Sequence, residues 1–146
     1  MTQKFFSVAF LLVCCALSSF AQKSVVNWSY EAKQISATVY QVVFTADVED
    51  GWYIYSQFLG DDGPVPTTFE FEGAEPIGKG TEKGYKKEGY DEIFGMNLVK
   101  FGKTVTFSQQ IRVSSMDKAI SGYLTYMTCN DEQCLPPTDV EFHIAL

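Results

Sequence analysis

The chain has 146 residues, enough for one domain, with 18 acidic and 11 basic side chains and a formal net charge of −7. So acidic a surface weighs against nucleic acid and anionic membranes as partners. The four cysteines and single histidine leave little for a metal site.

The first segment, "MTQKFFSVAFLLVCCALSSFAQ", has the order of a secretory signal. Lys4 supplies the positive start, Phe5 to Leu17 are almost wholly apolar, and Ser19 and Ala21 provide small residues for cleavage after Ala21. Residues 1–21 are therefore set aside as a signal peptide, and residues 22–146 are the expected folded domain, periplasmic or secreted. A lipid anchor at Cys14 or Cys15 is disfavoured, because bulky Val13 precedes the first and another cysteine precedes the second. No other segment approaches the roughly 18 apolar residues of a membrane span. Cleavage removes Cys14, Cys15 and Lys4, so the net charge falls from −7 to −8 and only Cys129 and Cys134 remain. In an oxidising compartment that pair is expected to form a disulfide.

After the leader the dominant period is two. "VVNWSYEA" (25–32) reads as a first strand. In "ATVYQVVFTADVE" (37–49), Tyr40, Val42, Phe44, Ala46 and Val48 share one face. Asp50-Gly51 marks a turn before "WYIYS" (52–56), where Trp52 and Ile54 face one way and Tyr53 and Tyr55 the other. "QFLGDDGPVP" (57–66) reads as a loop, and "TTFEFE" (67–72) alternates with Phe69 and Phe71 inward. "GKGTEKGYKKEGYDEIFGMN" (78–97) breaks the alternation and reads as a long glycine-rich loop of a functional or mobile kind. Its tip sets Ile93 and Phe94 among polar residues and glycines, so these side chains need something to cover. "KTVTFSQQIRV" (103–113), "AISGYLTYMTC" (119–129) and "DVEFHIAL" (139–146) complete the strands. The pattern is all-β, an antiparallel sandwich.

The chemistry concentrates in "YMTCNDEQCLPP" (126–137). Cys129 ends one strand, Asn130 to Gln133 form the connection, and Cys134 precedes the next strand. Pro136 and Pro137 cannot donate ladder hydrogen bonds and stiffen the flank. A disulfide closing so short a loop removes little unfolded-state entropy, and about 125 residues bury a core without a staple. The spacing alone leaves a structural and an exchangeable disulfide both open. Two cysteines and the outward His143 fall short of the four ligands of structural zinc, and Met127 beside Cys129 fits packing better than copper ligation. No Ser-His-Asp arrangement is evident, and "GKGTEKG" lacks the phosphate-loop pattern. Trp52, Tyr53 and Tyr55 suggest a sugar-stacking platform, but alternation sends Trp52 and the two tyrosines to opposite faces, so at least one set is expected in the core. No cofactor is expected, and a monomer is.

The cysteine segment resembles the active-site hairpin of the N-terminal periplasmic domain of DsbD-type thiol:disulfide interchange proteins, with a tyrosine before the first cysteine and two prolines after the second. Asp91-Glu92-Ile93-Phe94-Gly95 resembles the cap loop of that family, and "GWYIYSQ" and "DGPVPTTFEF" look like its early strands. The likeness runs over roughly residues 25–145. There are departures: four residues separate the cysteines where better-known members have five, and Ile93 stands where the first cap aromatic is expected. The resemblance implies an immunoglobulin-like sandwich whose Cys129–Cys134 pair exchanges electrons under a lid, with Tyr126, Leu135 and Pro136 in support. It implies Cys134 as the sulfur that meets partners and Cys129 as the one that resolves. Its partners would be thioredoxin-like or membrane thiol–disulfide proteins. The sequence ends at Leu146, so any electron donor is expected on a separate chain. Asp91, Glu92, Asp131 and Glu132 are expected near the sulfurs, holding the thiols in their protonated form. A redox-silent interaction module with a structural disulfide is the alternative.

Overall fold

The computed structural model describes residues 24–146, so the leader and its two cysteines lie outside the described residues. Nine strands follow in chain order: β1 (Val26–Gln34), β2 (Val39–Val48), β3 (Tyr53–Tyr55), β4 (Thr68–Glu72), β5 (Glu75–Asp91), β6 (Met96–Arg112), β7 (Ala119–Tyr126), β8 (Thr128–Cys129) and β9 (Thr138–Ala145). All pairings are antiparallel. The large sheet runs β1-β2-β6-β3-β8, with β5 on the other edge of β6, and the small sheet runs β4-β7-β9. Together they make the expected immunoglobulin-like sandwich.

The alternation seen in the sequence explains the core. Val42, Phe44, Ala46 and Val48 of β2 are all buried. Phe44 stacks on Phe69 at 4.5 Å and meets Phe142 edge-on at 4.9 Å, so one ring of the large sheet engages both outer strands of the small one. Phe107 from β6 joins at 5.4 Å from Phe69, and Leu124 and Ile120 of β7 fill the space between. Aromatic pairs of this kind add about 0.5–1.5 kcal/mol beyond the area they bury.

The stretch 78–97 is not the loop its composition suggests. Residues 75–91 form the long edge strand β5, paired with β6 along its length and turning only at 92–95. The alternation is lost because most of β5 faces solvent and carries charge on both sides. Its glycines mark irregular pairing, with register shifts between Ile77 and Thr81 and between Gly84 and Tyr85. At Gly84 a Cβ would stand 2.6 Å from the Thr104 carbonyl oxygen, so only glycine lets the strands approach this closely.

Gly122 is the tighter case. A Cβ there would lie 1.9 Å from the Glu70 carbonyl oxygen and 2.7 Å from Cζ of Phe142, whose ring lies against the glycine. Gly122→Ala should push β4 off β7 and destabilise the domain by roughly 1–3 kcal/mol. Thermal unfolding followed by circular dichroism should show a lowered midpoint; an unchanged one would contradict the packing described.

Candidate functional site

Cys129 and Cys134 stand directly opposite each other across an antiparallel turn. The N–H of Asn130 donates to the Gln133 carbonyl (2.9 Å), and that of Leu135 donates to the Thr128 carbonyl (2.8 Å). These bonds bracket the cysteines, which are thus a non-hydrogen-bonded pair, the closer of the two antiparallel kinds. Their alpha carbons are 4.0 Å apart and the sulfurs are bonded. The turn is built by Asn130, whose Oδ1 accepts from the N–H groups of Glu132 (2.9 Å) and Gln133 (2.8 Å). An asparagine at the head of a tight turn is a readable signal, although attention to the cysteines alone passes over it. Cys129 is 1% exposed, whereas Cys134 is half-buried.

The site occupies the face of the large sheet that looks away from the sandwich core. On β3, Ile54 points into the core and Tyr55 points the other way; both are fully buried. Tyr53 is opposite Cys129 and Tyr55 opposite Lys100, so these side chains share the outer face. Tyr55, Leu98 and Cys129 form a second, small apolar cluster, flanked by Leu59, Phe94, Met96, Met127 and Cys134. The Phe94 ring meets Tyr55 edge-on at 5.9 Å. The hairpin tip therefore folds back over the sheet and seats Phe94 in the cluster that holds both cysteines. Ile93, expected to do the same, is 45% exposed.

The tip is shaped by Asp91. Its Oδ1 accepts from the N–H groups of Ile93 (3.0 Å) and Phe94 (3.3 Å), and its carbonyl accepts from Gly95 (2.8 Å), which adopts φ 66°. Its Oδ2 pairs with Nζ of Lys100 at 2.6 Å. Burial would raise the Asp91 pKa; the hydrogen bond and charge of Lys100 and the two N–H groups outweigh it and hold the carboxyl below its ordinary value. Burial, and then the Asp91 carboxylate, push the Tyr55 phenol well above its ordinary value. Of the four carboxylates expected near the sulfurs, Asp91 is paired with Lys100. Asp131 faces the hairpin across a cleft of ≈ 260 Å³ that Glu92, Lys87 and Lys100 also line, and Glu132 is exposed in the cysteine turn.

Other expected residues lie elsewhere. Tyr126 belongs to the main core, 5.4 Å from the Trp28 ring. Leu135 and Pro136 line a separate groove with Val25, Tyr126 and Thr128. Trp52 packs on the main core and Tyr55 is buried, so the three rings of that strand form no common exposed platform. His143 points outward and hydrogen-bonds Ser121 Oγ through Nδ1 at 2.8 Å. Among the described residues, no three His, Cys, Asp or Glu side chains converge as metal ligands. Tyr55, Leu98 and Lys100 complete the site without any motif to mark them.

The model of the family described as "Thiol:disulfide interchange protein DsbD, N-terminal" matches residues 22–145. No curated protein matches the chain in sequence. Among solved structures, the chain resembles the N-terminal periplasmic domain of ScsB from Proteus mirabilis at 16% identity and TM-score 0.65. That alignment covers 87% of this chain and 49% of the other, so this chain spans about half the length of that relative. It resembles the reduced N-terminal domain of DsbD from Neisseria meningitidis at 22% identity and TM-score 0.53, covering 81% of this chain and 84% of that one. A third likeness is to a structure of the complex between the DsbD and PilB N-terminal domains of Neisseria meningitidis, at 20% identity and TM-score 0.51, covering 80% of each chain. At these identities the structures support the fold alone. The family match extends over nearly the whole chain and includes both bonded cysteines, and on that ground the chain belongs to the DsbD N-terminal domain family.

Proposed function

We propose that this protein is an exported thiol–disulfide exchange domain that relays electrons through Cys129 and Cys134 beneath a lid formed by residues 91–95. The observation that carries the reading is the seating of Phe94 in one apolar cluster with Tyr55 and both cysteines, on a face the sandwich core does not need. A disulfide placed only to staple the fold has no use for a separate cover. The periplasm is the proposed compartment, from the leader-like start and the periplasmic ScsB domain it resembles.

The difference in exposure supports distinct roles for the two sulfurs. A partner thiolate attacks Sγ of half-buried Cys134, forming a mixed disulfide and releasing Cys129 as the thiolate. The second partner thiolate then attacks the partner sulfur of that bond, leaving the partner oxidised and this domain with two reduced cysteines. In reverse, the Cys134 thiolate opens a partner disulfide, and the Cys129 thiolate resolves the mixed disulfide by attacking Sγ of Cys134. Two electrons pass in either case. A thioredoxin-like partner is proposed, by analogy with the complex of the Neisseria domain with the PilB N-terminal domain. The lid must move for either attack, as lids that gate sites commonly do.

Reduction should leave the sandwich folded. The cysteine loop is short, so its opening should cost about 2 kcal/mol, and circular dichroism of the reduced chain should still show a cooperative melt. Loss of native signal at room temperature on adding reductant would mean a staple. Cys129→Ser should trap a mixed disulfide with a thioredoxin-like protein through Cys134, visible on a non-reducing gel, and Cys134→Ser should not; trapping only in the latter reverses the roles. Phe94→Ala should speed reduction of the disulfide by dithiothreitol several-fold, since removing the ring uncovers part of a cluster held by roughly 1.5–3 kcal/mol per fully buried side chain. Equal rates in wild type and variant would refute the lid.

A further inference from the structure

We infer that Lys100 is a positioning residue of the exchange reaction, latching the hairpin tip closed over the disulfide through Asp91. The inference rests on the lid reading above and names what holds that lid. The turn at 92–95 needs no lysine to form, because Asp91 and Gly95 close it through their own backbone and the Asp91 side chain. A formed turn is still free to stand away from the sheet. Lys100 lies on β6, within the sheet face that carries Tyr55 and Tyr53, and its ammonium group is 5.0 Å from the Tyr53 ring centre. Its bond to Asp91 Oδ2 is the polar link between the turn and that face. The carboxylate thus couples two things at once: one oxygen holds the N–H groups of Ile93 and Phe94, and the other is held by the sheet.

Burial makes this pair different from its neighbours. The side chains of Asp91 and Lys100 are 4% and 13% exposed, whereas the nearby Lys86–Glu88 pair is 62% exposed at the glutamate and 54% at the lysine. An exposed pair contributes little. Removing one partner of a buried pair leaves an uncompensated charge, and at this site the remedy is local: the tip swings out and Asp91 returns to water. Lys87 and Glu88 on β5, Glu92 at the tip and Asp131 of the cysteine turn border the same cleft. Lys100 is the group bonded to the carboxylate. The pair is thus suited to a lid that has to release, since its attraction is largely offset by desolvation and its loss is compensated by hydration on opening.

The test is the rate at which dithiothreitol reduces the oxidised full chain, measured for wild type, Lys100→Met, Lys100→Arg, Asp91→Asn, the double variant Asp91→Asn with Lys100→Met, and Phe94→Ala, each with a parallel thermal melt. Lys100→Met should be reduced roughly tenfold faster, the loss expected for a charged hydrogen bond. Lys100→Arg should stay near wild type. Asp91→Asn keeps the turn acceptor but leaves the Lys100 charge uncompensated, so it should also be faster, and adding Lys100→Met to it should give no further increase. If Phe94→Ala is faster but Lys100→Met is not, the latch is wrong and the lid stands. If neither is faster, the lid reading itself fails and the latch with it. Multiplicative effects in the double variant, or a speed-up that only accompanies loss of the main melting transition, would also overturn the inference.

Discussion

Everything in this molecule depends on β6 being paired along both edges. Residues 104–112 bond to β2, residues 100–101 bond to β3, and the opposite edge carries β5 for almost its whole length. A strand held on both sides cannot slip by one residue without turning every side chain to the wrong face. Phe101, Val105, Phe107 and Ile111 are thereby fixed in the sandwich core, and Leu98 and Lys100 are fixed on the other face. One strand thus supplies both a rigid floor and part of the surface against which the disulfide packs. The positive φ of Lys103 (55°) falls in the bulge that separates the two stretches.

The contrast between the two clusters has consequences for dynamics. The main core joins both sheets through at least seven aromatic rings, while the outer cluster holds three buried residues and a rim of half-buried ones. Opening the outer cluster exposes little apolar area beside what global unfolding exposes, so the tip belongs to the low-stability end of the structure. Within the outer cluster, Cys129 is buried and paired to β3, and Cys134 stands half-buried at its rim. The exchange proposed above needs a resolving sulfur that is held still and an attacked sulfur that can be reached, and this difference suits it.

Charge is arranged with similar economy. The chain is acidic overall, yet Lys79, Lys83, Lys86, Lys87, Lys100 and Lys103 cluster on the β5–β6 hairpin. Several lie over aromatic rings, among them Lys79 at 4.3 Å from Phe58 and Lys87 at 5.1 Å from Tyr53. Lysines along β5 also suit a long edge strand, since charged side chains there discourage pairing with another chain.

The sequence by itself determined the sandwich, the inward faces of β2, β4 and β6, the turn at Gly51 and the cysteine hairpin, because period-two alternation and turn chemistry are local properties. The segment "DEIFG" was legible as an apolar tip in need of a surface for the same reason. The strand nature of 75–91 was not legible: an edge strand exposed on both faces has no hydrophobic period, and its glycines imitate a loop. Only the tertiary structure decided that Tyr55 and Leu98 lie beneath the tip, that Phe94 and not Ile93 covers them, and that Tyr126 is core. Register sets Asp91 opposite Met96 and Lys100 opposite Lys87, so the fold-back of the tip is what brings the Asp91 carboxylate to Lys100. Neither residue carries a mark of that ion pair, because it is made where two side chains meet in space, and the bend of the tip over the sheet is decided by the packing of Phe94 on Tyr55.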